Sequence, residues 1–279
     1  MPMTARSRRT ARRGLRLVGA GLVVALGGCA SAATVPAVTG AAGVPGFDTR
    51  TYPGDVVMRQ WKAGSPYRWV GFYLPSPCHP RSTWTGRRDT LDAMGWGFAV
   101  LYVGEQDWSA VPNPPAGPGL DPGAGVPRCT SDNLGGERGA ADGEEASALA
   151  AAEGFPAGTI VYLNVERVDS ISAALDGYVR AWVGAVLDGE RMRPGLYAHA
   201  RNAAALHATA QAEFARRQRT DRPRLWVAKA GGFDLRTLPA ASGFAEANVW
   251  QGLFDVNETW AGATLRIDAH VADTASPSS

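Results

Sequence analysis

The fold is decided by the stretch Gly158-Thr159-Ile160-Val161-Tyr162-Leu163-Asn164-Val165-Glu166, an apolar β-type run that ends in two polar residues one position apart. Alternate residues of a strand share a face, so Asn164 and Glu166 are expected to point the same way at the carboxyl end of a buried strand. In a parallel barrel, that end carries the catalytic groups. The alternative is that Glu166 merely leads into a surface loop.

Two further strand-like runs, near opposite ends of the chain, also end in an acidic residue. Val44–Asp48 ends in Asp48, and Ala263–Asp268 ends in Asp268. The first and last strands of a closed barrel are neighbours, so these two acids would lie side by side with Glu166 across the mouth. Carboxyl groups gathered on one rim are what glycosidic bond cleavage requires. Asp is also common in turns and helix caps, which is the alternative interpretation of each run.

Strand and helix signals alternate along the chain, which is typical of βα units and a parallel sheet. Eight strands are enough to close a barrel. The last two connections are short and Gly-rich, so outer helices are expected to be short or missing there. We therefore predict an α/β fold, a (β/α)8 TIM-type barrel, with strands at Gly46–Asp48, Trp69–Leu74, Gly97–Val103, Thr159–Val165, Gly195–His199, Arg224–Ala228, Ala247–Gln251 and Leu265–Asp268.

The best helix signal covers Ile171–Leu187, whose apolar residues recur at helical spacing. Asp169 or Ser170 is expected to cap its start, and Gly189 stands just past its end. Further helices are expected at Ala203–Arg217, Gly139–Glu153 and Val56–Trp61.

The first 28 residues have the pattern of an export signal and not of the fold. Five arginines precede the apolar run Leu15–Leu26, and a sixth, Arg16, is its second residue. The run is too short to be a stable membrane span. Leu26-Gly27-Gly28-Cys29 resembles a bacterial lipobox, which implies cleavage before Cys29 and a lipid on its thiol. The alternative is an ordinary signal peptide cut after Ala30 to Ala33, and the paired arginines also allow a twin-arginine signal.

The remaining chain is expected to be a membrane-anchored lipoprotein of the cell envelope. Residues 29–44 are small and uncharged and are interpreted as a flexible tether, residues 45–272 as the barrel, and residues 273–279 as a polar tail. Removing the signal takes six positive charges from a net charge of +2 and leaves −4. This balance gives no basic patch for nucleic acid, so we expect no nucleic-acid partner.

Two cysteines remain besides Cys29, namely Cys78 and Cys129, each in a loop after a predicted strand. An even pair in an exported protein is interpreted as one disulfide. The Pro- and Gly-rich loop from Gln106 to Gly136 is expected to be a lid or wall of the cleft, with Cys129 fixing its far end. No cofactor and no metal site is predicted, because the four histidines stand at no ligand spacing; they are His79, His199, His207 and His270.

Several motifs occur in one order over Pro45 to Ala272, nearly the whole chain after the signal and tether. They are Gly46-Phe47-Asp48-Thr49-Arg50, Trp69-Val70-Gly71-Phe72-Tyr73, Leu101-Tyr102-Val103-Gly104, Gly154-Phe155-Pro156-Ala157-Gly158-Thr159 leading to Glu166, and Gly195-Leu196-Tyr197. This pattern resembles exported bacterial glycoside-hydrolase-like domains of the Rv2525c-like type. Those domains are distantly similar to the family 25 glycoside hydrolases, the lysozymes with a β/α barrel.

The resemblance implies roles for four residues. Asp48 matches the acid that ends the first strand, and Glu166 matches the general acid of the lysozymes. Asp268 matches an acid on the last strand. Gln251 matches a polar residue after the tryptophan of the seventh strand, although packing and hydrogen bonding at the barrel end is the alternative for it.

Asn164 departs from the resemblance, because the relatives usually carry Asp there. An amide cannot ionise, so Asn164 cannot be a nucleophile or a base. Two chemical routes remain: attack by the substrate's own acetamido group, held by Asn164 and Asp48, or a water activated by Asp48 or Asp268. The third outcome is that hydrolysis is lost and glycan binding survives.

Aromatic residues near the strand ends are the remaining candidates for substrate binding. Tyr73, Tyr102 and Tyr197 end or nearly end strands, and Trp108 follows the third strand as a platform for sugar stacking. The alternative for Trp108 is a plug under the long loop. The sequence therefore favours a lipid-anchored glycosidase-like barrel, with the cell-wall glycan, and peptidoglycan in particular, as partner and Cys29 as its link to the membrane. The alternative is a non-catalytic glycan-binding or envelope-organising lipoprotein.

Overall fold

Eight strands close into one barrel in the computed structural model, which describes residues 42–108 and 129–279. The expected α/β barrel is confirmed, and its strands follow one another around the ring in chain order. The signal peptide, Cys29, most of the tether and the middle of the long loop lie outside the described residues. The strands are β1 (Val44–Asp48), β2 (Trp69–Tyr73), β3 (Gly97–Val103), β4 (Ile160–Val165), β5 (Arg193–His199), β6 (Arg224–Ala228), β7 (Ala247–Trp260) and β8 (Ala263–Ala272).

Strands β1 to β7 run parallel to one another around the ring, whereas β8 is antiparallel to both of its neighbours, β7 and β1. β7 and β8 form a hairpin that turns at Ala261-Gly262, and a turn of this length can join antiparallel strands only. The last strand therefore carries Asp268 in its middle and not at its end. Its antiparallel register still sets Asp268 directly opposite Asp48.

Five helices cover the outside of the barrel: α1 (Asp55–Gly64), α2 (Arg88–Ala93), α3 (Gly136–Ala152), α4 (Ala173–Asp188) and α5 (Ala200–Arg216). The sequence did not indicate α2. α4 is capped by Ser172, whose Oγ accepts the Leu175 N–H, and not by Asp169 or Ser170. Between β6 and β7 the described chain has only a short 3-10 turn at Pro239–Ser242, as expected for missing outer helices near the C-terminus.

Side chains that alternate along each strand divide into a lumen layer and an outer layer. The outer layer packs under the helices, and the lumen layer is a separate apolar cluster. At its centre lies the ring of Trp226, 4.9 to 5.7 Å from four other rings. The lumen is thus a packed core that forms the floor of the mouth; the four rings are those of Trp69, Tyr162, Tyr197 and His270.

The last residues of the chain differ from the expected polar tail, because they pack against the amino-terminal ends of β3 and β4. The Ser278 N–H donates to Phe98 O at 2.9 Å, and Ser278 O accepts from the Ile160 N–H at 2.8 Å. Ser278 Oγ also accepts from the Val100 N–H at 2.8 Å. Buried backbone groups need such partners. The folded unit therefore extends past Ala272 to Ser279.

The expected disulfide between Cys78 and Cys129 is present. Its two sulfurs pack with Val103 at the carboxyl end of β3. The bond fixes the end of the long loop at the mouth side of the barrel. Within residues 42–108 and 129–279, no helix combines the length and the apolar character that a membrane crossing would need.

Candidate active site

Three acidic side chains face the mouth of the barrel from β1, the end of β4, and β8. Asp48 is 7% exposed and pairs with Asp268 in the ladder, whereas Glu166 and Asp268 are half-buried. The charges of Asp268 and Asp48 each help to raise the pKa of Glu166, after the larger effect of burial. Burial and then these same three carboxyls raise the pKa of Tyr197 in the lumen. The three acids therefore share one electrostatic environment above the floor.

Asp48 has a polar side chain close to each of its carboxyl oxygens. The Tyr73 hydroxyl donates to Oδ1 at 2.7 Å, and His270 Nε2 lies 2.9 Å from Oδ2. Burial and then Asp48 raise the pKa of Tyr73. Gly71 leaves room for this carboxylate, since a Cβ at that position would lie 2.5 Å from the Asp48 Cβ. Asp48 is therefore a buried carboxyl held by one hydrogen bond, from Tyr73, with the His270 ring in contact with its other oxygen.

Asp268 is held by two donors from β7. The Gln251 Nε2 donates to Oδ2 at 2.5 Å, and the Asp255 N–H donates to Oδ1 at 2.6 Å. Burial, followed by the nearby charge of Asp48, raises the pKa of Asp268 to about 6. The other end of the Gln251 amide, Oε1, is buried and has no hydrogen-bond partner in the described part of the chain.

Glu166 has an environment that suits a proton donor. Burial raises its pKa, a hydrogen bond from the Asn164 side chain lowers it, and Asp268 and Asp48 raise it further. The net direction is upward, so Glu166 keeps its proton to a higher pH than an ordinary glutamate, as a general acid requires. Asn164 Oδ1 is buried without a partner among the described residues, which leaves it free to accept a hydrogen bond from a ligand.

Gln106 connects the ends of β3 and β4 beyond their last paired residues. It is 1% exposed, and its Oε1 accepts the Glu166 N–H at 2.8 Å. Its Nε2 donates to Asn164 O at 2.9 Å and to Gly104 O at 3.0 Å. One amide thereby fixes the backbone between Asn164 and Glu166, the two residues of this strand end that face the mouth.

The Gln106→Met substitution is expected to lower the pKa of Glu166. If the protein hydrolyses glycan, the rate of hydrolysis should also fall about a hundredfold, since small misplacements of catalytic groups cost that much. Methionine keeps the volume but removes all three hydrogen bonds, so Glu166 gains freedom to reach water. A carbon-13 NMR titration of the Glu166 carboxyl measures the shift. The matched control is Asn133→Ala, which removes a donor to the neighbouring Glu105 and leaves β4 untouched. An unchanged Glu166 titration in Gln106→Met would show that Gln106 only supports the fold.

The tyrosine candidates divide between the two faces of the barrel. Tyr73 and Tyr197 point into the lumen beside the acids. Tyr102 does not line the mouth: its hydroxyl donates to Glu145 on α3 at 2.7 Å, and its ring packs near Trp182 on α4. The reason is strand alternation, because the inward positions of β3 are the neighbours of Tyr102 on either side.

Trp108 is half-buried against the cluster that contains the disulfide, as the plug alternative predicts. A role as a sugar-stacking platform stays a prediction.

Three site residues were not singled out in the sequence. His270 stands two residues after Asp268, so strand periodicity places both on one face. Gly71 shares its face with Tyr73 in the same way. Gln106 follows the end of a strand, where periodicity carries no information, and only the structure reveals its contacts.

One group of metal-ligand atoms lies close together within the described residues, and it is outside the mouth. It consists of Cys78, Glu105 and Cys129. The two sulfurs are bonded to each other, so neither is a thiolate that could bind a metal.

Comparisons with known proteins agree with this geometry. The model of a family described as Rv2525c-like, glycoside hydrolase-like domain matches residues 59–272, more than half of the chain. No curated protein matches the chain.

Solved structures with the same fold include three of low sequence identity. An uncharacterized protein of B. stearothermophilus has a TM-score of 0.53 and 20% identity over 82% of this chain and 96% of that one. The spore cortex lytic enzyme SleM of Clostridium perfringens has a TM-score of 0.54 and 10% identity over 83% and 68%. The modular autolysin LytC of Streptococcus pneumoniae has a TM-score of 0.52 and 10% identity over 82% and 46%, and has also been solved with a synthetic peptidoglycan ligand.

Proposed function

Because the chain belongs to the family of Rv2525c-like glycoside hydrolase-like domains, we propose that it binds a cell-wall glycan such as peptidoglycan at the mouth of its barrel and hydrolyses it. The observation that carries the proposal is the convergence of Asp48, Glu166 and Asp268 on one mouth, with the pKa of Glu166 raised by burial. The test is release of reducing ends from purified peptidoglycan. Failure of the wild-type protein to release any would contradict hydrolysis.

The choice of glycan is supported by what proteins of the same fold are named for. One is a spore cortex lytic enzyme, and an autolysin was solved with a synthetic peptidoglycan ligand. The mouth itself offers hydrogen-bonding groups of the kind that sugars use: two buried amide oxygens without partners, on Asn164 and Gln251. Sugar hydroxyls and amide N–H groups are donors that would satisfy them.

In the proposed reaction, Glu166 gives its proton to the glycosidic oxygen as the bond from that oxygen to the anomeric carbon breaks. Two routes supply the new bond. In the first, the acetamido oxygen of the sugar attacks its own anomeric carbon while Asn164 accepts a hydrogen bond from the acetamido N–H. Water then attacks the anomeric carbon, breaks its bond to the acetamido oxygen with retention, and gives its proton to the Glu166 carboxylate. In the second, Asp268 takes a proton from an attacking water, which gives inversion. Asp48 is the other candidate for this base.

We also propose that the protein is exported and anchored by a lipid on Cys29. The support is the sequence pattern of residues 1–29, with its basic start, apolar run and lipobox-like end. Metabolic labelling with a radioactive fatty acid tests it. Wild-type protein should be labelled and the Cys29→Ser variant should not, whereas equal labelling of both would exclude Cys29 as the lipidated residue.

A second function, glycan binding without hydrolysis, is favoured by one feature of the sequence: the resemblance implies an acid at position 164, and Asn164 cannot ionise. Saturable binding of peptidoglycan fragments without any release of reducing ends would support it. The export and anchoring proposals apply equally to this function.

The Asn164→Asp variant distinguishes the two functions. The substitution replaces a hydrogen-bond donor to Glu166 with a like charge, so the pKa of Glu166 should rise further. If the wild type is a hydrolase, activity should then persist to higher pH in the variant, as a pH–rate profile would show. Activity that appears in the variant and is absent from the wild type would mean that hydrolysis was lost here. Asn257→Asp, on the exposed part of β7, is the matched control.

A further inference from the structure

Two neighbouring apolar side chains on β7 are exposed and belong to none of the hydrophobic clusters of the described residues. Leu253 is 36% exposed and Phe254 is 39% exposed. Val256 and Trp260, further along the same strand, pack against the hydrophobic core, but these two do not. Their surface is therefore available to something outside the fold.

This apolar pair is attached directly to the acidic mouth. The pairing of β7 with β8 is irregular between Gln251 and Val256, and Asp255 has a left-handed backbone with φ of 53°. Such a conformation is uncommon for a residue other than glycine. It turns the Asp255 N–H onto Asp268 Oδ1 at 2.6 Å. β-Bulges often re-aim side chains beside active sites, and Phe254 is only one residue from this contact, about 3.8 Å along the chain.

Polar groups flank the exposed ring. Asp255 Oδ1 and Arg266 Nε form an ion pair at 3.0 Å, and both side chains are largely exposed. An aromatic face offers flat apolar area to the C–H groups of a pyranose ring, while a carboxylate and a guanidinium offer an acceptor and donors to its hydroxyls. We propose that Phe254 forms a sugar-binding subsite at the rim of the mouth, where its ring stacks on the glycan unit next to the one held by the acids. This subsite rests on the proposed glycan function.

A sugar fits this surface better than a lipid bilayer does. Helices and patches that bind membrane surfaces combine wide apolar faces with an excess of Lys and Arg. Within residues 42–108 and 129–279, the exposed apolar side chains of this surface are Leu253 and Phe254, and the cation of Arg266 is paired with Asp255. The hydrogen bond from Asp255 to Asp268 also makes the surface continuous with the candidate active site.

The test measures binding of a soluble peptidoglycan fragment by calorimetry, in Glu166→Gln protein so that no turnover occurs. Phe254→Ala should weaken binding about tenfold, as expected for one aromatic stacking contact, and Phe254→Tyr should restore it. The matched control is Leu238→Ala. Leu238 is 42% exposed and lies next to Thr237, whose carbonyl packs on Gly43 at the opposite end of the barrel.

If the Glu166→Gln protein binds the fragment with equal affinity with and without Phe254→Ala, the subsite is overturned and the proposed function still stands. Absence of glycan binding in every protein would overturn both. Phe254→Ala that loses binding to vesicles of phosphatidylglycerol, with glycan affinity unchanged, would assign the patch to membranes and also overturn the subsite.

Discussion

The Glu166→Gln variant should release reducing ends from peptidoglycan more slowly than the wild type by a factor of about 10² to 10⁴, the usual contribution of a general acid. The amide has the shape of the acid but no proton to give. Its position is fixed by Gln106, so the loss should appear without a change in fold. Turbidity clearance and reducing-end assays on the two proteins at equal concentration measure the ratio.

The pH dependence of the wild type follows from the same residue. A general acid works in its protonated form, so activity should fall as pH rises through the raised pKa of Glu166. The matched control is Glu246→Gln, an exposed glutamate just before β7, which should retain full activity with the wild-type pH profile. Glu166→Gln activity equal to that of the wild type would remove Glu166 from the chemistry.

The Trp226→Ala substitution should lower the free energy of unfolding by about 3–5 kcal/mol, the usual cost of deleting a fully buried tryptophan. Trp226 has no exposed surface, and its ring contacts those of Trp69, Tyr162, Tyr197 and His270. The cavity would open directly beneath the acids. Equilibrium denaturation by urea measures the loss, with the slope m checked for two-state behaviour.

Trp226→Phe is the informative comparison, because it keeps an aromatic ring. The Trp226 Nε1 has no hydrogen-bond partner in the described structure, so phenylalanine loses no hydrogen bond there. Its cost should be well below that of alanine. Equal effects of the two substitutions, or a loss under about 1 kcal/mol for alanine, would contradict the account of the lumen as the packed floor of the site.

Local patterns in the sequence were sufficient for the barrel and for its acids. Alternation of apolar strands with amphipathic helices is a property of each segment alone, and it indicated all eight strands. The acid that ends each run could likewise be identified without tertiary information. Asp48 and Asp268 meet because a closed ring must join its first strand to its last, whichever way the last strand runs.

Features that depend on contacts between residues distant in the sequence could not be predicted from it. The direction of β8 is set by its hairpin with β7, and Tyr102 was placed in the mouth because its strand face was assigned without a register. The last seven residues have a polar composition typical of a tail. These residues lie against the barrel because Ser278 forms hydrogen bonds with the backbone groups of Phe98 and Ile160.

The most direct test of the central claim is a crystal structure of the Glu166→Gln protein with a bound peptidoglycan fragment. The account predicts a glycosidic oxygen within hydrogen-bond distance of the side chain at position 166, about 2.6–3.2 Å, with Asp48 and Asp268 facing the same sugar ring. A fragment bound on the outer helices, or a ring in the mouth with residue 166 turned away from every glycosidic oxygen, would contradict it.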